Sequence, residues 1–151
     1  MLTDKETIRV LIADDHPIFL KGLQEVLEEE KKLRVVCRAA NGIEAIEKAI
    51  AAKVDIAILD IDMPEANGLQ AAEKILDAMP DTAVIILTMH KAKDAFLKAL
   101  ETGVMGYVLK ENAVVDILHA VAAVLKNQSY ISPEMSSFLL RQKSRLQDSP
   151  A

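Results

Sequence analysis

At 151 residues and 51% hydrophobic, the chain can bury one core of ordinary size but has no room for a second full domain. Lys and Arg total 18 against 23 Asp and Glu, a formal net charge of -5 without any long run of like charge, which excludes a general nucleic-acid-binding surface on the chain itself. The single Cys37 excludes an internal disulfide and no apolar stretch approaches the ~18 residues of a membrane span, so with no signal-peptide pattern at its start a cytoplasmic protein without a membrane partner is expected.

The apolar run at 8–13 predicts a strand, and residues 16–30, with apolar Ile18, Phe19, Leu23, Val26 and Leu27, predict a helix. The alternation repeats: a strand at 34–39 that would bury the Cys37 thiol, and a helix at 43–52 with a stripe of Ile43, Ile46 and Ile50. It continues with a strand at 55–59 and a helix at 69–79, a strand at 82–87 and a helix at 93–101, and a strand at 106–109 and a helix at 114–125. The apolar positions 114, 117, 118, 121, 124 and 125 of that last helix fit one face. Ile56-Ala57-Ile58-Leu59 and Ala83-Val84-Ile85-Ile86-Leu87 are apolar without alternation, as in parallel strands covered on both faces. Five βα units of this kind predict an α/β fold, an open parallel sheet with right-handed crossovers. A break at 127–134, with Ser132-Pro133 as a helix start, predicts a further packing or linker helix near 133–146, followed by a disordered tail at 147–151.

Sites in such sheets lie beyond the carboxyl ends of the strands, where strand order switches. Asp14 and Asp15 follow the first strand there, and Asp60 and Asp62 follow the third. Like charges ~4 Å apart repel by about 4 kcal/mol at an effective dielectric of ~20, so a cation is required among them. Carboxylate oxygens suit Mg²⁺, and no His or Cys cluster suggests zinc. Lys110 closes the fifth strand and Thr88 the fourth, so an ammonium and a hydroxyl are placed to join the carboxylates in a phosphoryl-accepting constellation.

The set Asp14-Asp15, Asp60-Ile61-Asp62-Met63-Pro64 with Gly68, Leu87-Thr88 and Gly106-Tyr107-Val108-Leu109-Lys110 resembles the receiver domain of two-component response regulators, over about residues 7–126. Asp15-His16-Pro17, Leu87-Thr88-Met89-His90 and Tyr130-Ile131-Ser132-Pro133-Glu134 are similar to the NarL/FixJ, or LuxR-type, subfamily. The resemblance implies a flavodoxin-like, doubly wound (βα)5 sheet of strand order 2-1-3-4-5 with a linker segment at 127–151. It implies Asp60 as the acceptor of a phosphoryl group from a sensor histidine kinase, and Mg²⁺ held by Asp15, Asp60 and the backbone carbonyl of Asp62, with Asp14 helping. Lys110 would pair with the phosphoryl oxygens, Thr88 would swing inward to bond one of them, and Tyr107 would rotate with it. The output would be a change of partner or homodimer preference, with DNA reached only through a LuxR-type helix-turn-helix domain that lies outside this chain. On that reading the chain is a truncated piece of a transcription regulator, and the protein is not an enzyme beyond its own phosphorylation.

Two departures from the family pattern bear on the site. Glu111 follows Lys110 where many receivers have proline, often after a cis peptide, and Met89 follows Thr88 where many have a small residue, which implies narrower access to Asp60. His16 is a candidate to cap the following helix or to face solvent, His90 to line the site entrance, and His119 reads as structural or exposed. Ile58-Leu59-Asp60-Ile61-Asp62 also resembles the first motif of haloacid-dehalogenase-like phosphatases, in which Asp62 would be the acid/base. That reading lacks a later acidic pair and a cap domain. A stand-alone receiver, or a pseudo-receiver that never takes phosphate, is the remaining alternative.

Overall fold

The computed structural model describes residues 6–148. Six parallel strands, β1 (Ile8–Ala13), β2 (Leu33–Ala39), β3 (Ile56–Asp60), β4 (Ala83–Thr88), β5 (Gly106–Leu109) and β6 (Tyr130–Ile131), form one sheet of order β2-β1-β3-β4-β5-β6. Helices α1 (Pro17–Leu27), α2 (Gly42–Ala52), α3 (Gly68–Ala78), α4 (Lys93–Thr102) and α5 (Ala113–Leu125) are the crossovers, and α6 (Pro133–Asp148) follows β6. The flavodoxin-like order 2-1-3-4-5 is as expected, with one strand added at its far edge. Of the expected disordered tail, residues 147–148 belong to α6, and 149–151 lie outside the described residues.

The two faces of the sheet explain the non-alternating strands. Ile8, Val10 and Ile12 of β1, with Ile56, Ile58, Ile85 and Leu87, pack under α1 and α5. Leu11, Ala57, Leu59, Val84 and Ile86 face the other layer, built from α2, α3, Phe96 and Ala99 of α4, and Met135 of α6. Every residue of β3 and β4 is buried.

Four expectations change, each for a tertiary reason. Cys37 is only half-buried, because β2 is the outer strand and pairs on one side alone. In α2 the alanines Ala45 and Ala49 are buried and Ile43 and Ile50 are partly in solvent. Ile46 still packs against the core, and at the start of the helix Gly42 leaves no room for a Cβ beside the Ala66 carbonyl oxygen. In α5 it is Ala113, not Val114, that turns inward. Finally, Tyr130–Ile131 pairs with Gly106 and Tyr107 as a short strand where a break was expected.

Local signals set the start of α3, the helix that follows Asp60. Asn67 caps α3 by accepting from the Gln70 N–H at 2.9 Å, while Gln70 Oε1 accepts from the Asn67 N–H at 2.9 Å, a reciprocal capping box. Gly68 then passes so close to the end of β3 that an added Cβ would collide with the Asp60 carbonyl oxygen. Gly68→Ala is therefore expected to cost about 2 kcal/mol in urea unfolding, the usual penalty of overpacking against backbone. An unchanged midpoint would show that the loop after Asp60 yields freely.

Candidate functional site

The carboxyl ends of β1, β3, β4 and β5 bring the predicted residues together. Asp14 and Asp60 are buried at 1% exposure each, whereas Asp15 and His16 stand at the rim. Asp14, Asp15, His16 and Asp60 each offer a ligand atom within 4.8 Å of the others, an acidic cluster able to hold a metal ion.

Lys110 supplies the fixed positive charge. Its Nζ lies 2.6 Å from Asp14 Oδ2 and 3.2 Å from Asp60 Oδ2, with the Phe19 ring centroid 4.7 Å away on its other side. The lysine side chain is only 10% exposed. Burial alone would lower its ammonium, but the contacts with Asp14 and Asp60 outweigh that and raise it above the ordinary lysine range. For Asp60, burial comes first and the Asp14 charge second, and together they hold the carboxyl above the ordinary aspartate value of 3.8 against the opposing pull of Lys110 and the Asp62 N–H. An aspartate so placed gains by having its charge met from outside.

His16 is drawn into the cluster. Its backbone N–H donates to Asp14 Oδ1 at 2.8 Å, and its Nδ1 lies 2.8 Å from that oxygen, 3.0 Å from Asp15 Oδ1 and 3.3 Å from Lys110 Nζ. That nitrogen can give a proton to the carboxylates or take one from the lysine, but not both at once. His16 does occupy the cap position of α1 but makes no side-chain cap bond there; its contacts with both carboxylates appear only in three dimensions.

Asp62 contributes differently. Its N–H donates to Asp60 Oδ1 at 3.3 Å, while its carboxylate is 61% exposed and 3.9 Å from His90 Nε2. A side chain turned to solvent is badly placed to be an acid/base at Asp60. Thr88 is buried, but its hydroxyl is occupied by its own loop, donating to the His90 carbonyl at 3.2 Å and accepting from the His90 N–H at 3.1 Å.

Tyr107 is already buried at 3% exposure, edge-on to Phe96 with ring centroids 5.2 Å apart. Among the described residues its hydroxyl has no hydrogen-bond partner. Burial pushes the phenol above its ordinary range, and the nearby Thr88 side chain opposes the shift. A groove of about 400 Å³ lined by His16, Phe19, Met89, Lys110 and Glu111 opens beside the cluster. Met89 is 64% exposed on its rim, so it bounds the approach from one side instead of capping it. After Lys110 the chain makes a 3-10 turn, Lys110–Asn112, and no peptide among the described residues is cis.

A doubly wound α/β domain with an acidic, lysine-bridged cluster at its strand switch defines a class of protein, and the relatives define the family. The response regulator receiver domain family matches residues 10–122, and the chain belongs to it, within the NarL/LuxR-type group. Transcriptional regulatory protein LnrK of Bacillus subtilis is 35% identical over 138 residues, covering 91% of this chain and 63% of that protein. The structure of a two-component response regulator of the LuxR family from Aurantimonas superposes with a TM-score of 0.86 at 29% identity, over 91% of this chain and 99% of that one. The isolated receiver domain of RcsB from Salmonella enterica, solved with the phosphomimetic BeF3-, superposes with a TM-score of 0.80 at 30% identity, over 88% and 98%. The chain spans about three fifths of the length of the curated relatives it matches, at 61% and 63% of the first two.

Proposed function

We propose that this chain is a phosphoacceptor switch in which Asp60 takes a phosphoryl group from a phosphohistidine of a sensor kinase. The observation that carries the reading is the Lys110 ammonium held 2.6 Å from Asp14 and 3.2 Å from Asp60, a pre-placed cation beside a buried carboxylate of raised pKa. An Asp60 oxygen attacks phosphorus, the new P–O bond forms as the P–N bond breaks, and the electron pair leaves with the donor imidazole. Lys110 meets the oxygens of the transferred group. Thr88 leaves the His90 backbone and donates its hydroxyl to one of them. Tyr107, whose buried hydroxyl lacks a partner, gains one from the rearranged loop.

Asp15 and Asp60, with the Asp62 carbonyl and help from Asp14, would hold Mg²⁺; the carboxylate oxygens of the cluster fit a hard divalent cation. When bound, the ion neutralises charge on the transferring group. The altered surface of α4, β5 and α5 would change the preference for a second copy or another partner. Residues 7–126 act as the receiver and the segment from 127 as a linker toward a helix-turn-helix output domain that reads DNA, in keeping with the transcriptional regulators among its relatives. The site would work in the cytoplasm.

The test is intact mass after incubation with Mg²⁺ and acetyl phosphate or a phosphorylated kinase domain. One added phosphoryl group per chain is expected, and none when Mg²⁺ is chelated before the donor is added. No addition from any donor would leave only a pseudo-receiver.

A further inference from the structure

Ser132 lies outside the span matched by the family and is completely buried. Its backbone N–H donates to the Tyr107 carbonyl at 3.0 Å, continuing the β5–β6 ladder by one step. In a parallel ladder the next bond would run from the Leu109 N–H to the Ser132 carbonyl. That carbonyl is committed elsewhere, because it accepts the Ser136 N–H at 3.0 Å in the first turn of α6. The hydroxyl takes its place: Ser132 Oγ accepts from the Leu109 N–H at 2.9 Å and lies 3.4 Å from Asp116 Oδ2, to which it donates. The chain can thus turn into a helix at once while β5 stays paired up to the residue before Lys110.

We infer that Ser132 is a positioning residue for Lys110, an inference that rests on the phosphoacceptor reading given above. Leu109 is 1% exposed, so without the hydroxyl its N–H would be buried unpaired and the backbone would shift to find a partner. Lys110 is the next residue, and its ammonium must stay within reach of both Asp14 and Asp60. Small displacements of a charged group at a reacting centre are costly. The hydroxyl is needed as an acceptor, which alanine cannot supply and threonine can.

The test measures the affinity of each variant for beryllofluoride at saturating Mg²⁺ by ¹⁹F NMR, together with thermal unfolding. Ser132→Ala is expected to weaken beryllofluoride binding about tenfold, the equivalent of one lost hydrogen bond, and Ser132→Thr to restore it to within about twofold. Should Ser132→Ala fail to fold, the isosteric Ser132→Cys, a weak acceptor, is expected to bind about threefold more weakly. A Ser132 variant that melts earlier yet binds beryllofluoride like the wild type would overturn the inference, since a merely structural role moves stability alone. Failure of the wild-type chain itself to bind the mimic would instead overturn the phosphoacceptor reading.

Discussion

Asp60→Asn is expected to abolish phosphoryl uptake from acetyl phosphate and, in the absence of metal, to raise the melting temperature at neutral pH. The first effect follows because the amide is no nucleophile, and intact mass reads it directly. The second follows from electrostatics. The folded state holds the Asp60 carboxyl above its ordinary value, by burial first and by Asp14 second. A group with a raised folded pKa binds more protons folded than unfolded, so it withdraws stability as pH rises through the window above 3.8, and the withdrawal is complete once the folded group has ionised. Asparagine cannot ionise and escapes it. The gain is expected as a higher melting temperature at neutral pH that vanishes in acid below the ordinary aspartate value. Equal melting temperatures for the two proteins at pH 7 would show that Lys110 already compensates the charge in full.

Lys110→Ala acts in the opposite sense. It leaves Asp14 and Asp60, at 0% and 2% side-chain exposure, facing each other without the ammonium that lies between them. Stranding buried charge in this way costs several kcal/mol in fully enclosed sites; at this open edge of the sheet about 2 kcal/mol is expected, or roughly 4–8 °C. Saturating Mg²⁺ should recover most of that loss, because a second cation can occupy the same carboxylates, whereas phosphoryl uptake should stay impaired for want of the lysine. Thermal melts with and without Mg²⁺ separate the two. A variant as stable as wild type without metal would mean that Asp14 and Asp60 do not depend on Lys110 for compensation.

The elements readable in the sequence were those whose pattern is local. Ile56-Ala57-Ile58-Leu59 and Ala83 to Leu87 announce doubly covered strands because burial on both faces removes the need for alternation. Asp14, Asp15, Asp60, Thr88 and Lys110 were legible as a site for a similar reason: each stands at a strand end, and all parallel strands of one sheet end on the same side. Side-chain direction was less legible. Ile18 fits the apolar stripe of α1 yet is 89% exposed, and Val114 fits that of α5 yet is 57% exposed, because each helix buries only the arc that faces the sheet. A two-residue strand such as Tyr130–Ile131 has no periodicity at all, and it exists only because β5 offers it an unpaired edge.

By itself, then, the sequence determined the α/β alternation, the family, and which side chains meet at the carboxyl edge, since these depend on residue type and on position within each element. The tertiary structure decided how they meet. It set Lys110 between Asp14 and Asp60, tied the Thr88 hydroxyl to His90, buried Tyr107 without a partner, and substituted a serine hydroxyl for a ladder carbonyl at Leu109. Those contacts join residues as much as 96 positions apart in number, Lys110 with Asp14 among them. The physical reason is that their energies come from burial and from the pairing of charges and donors across separate elements, quantities that take values only once the elements have packed.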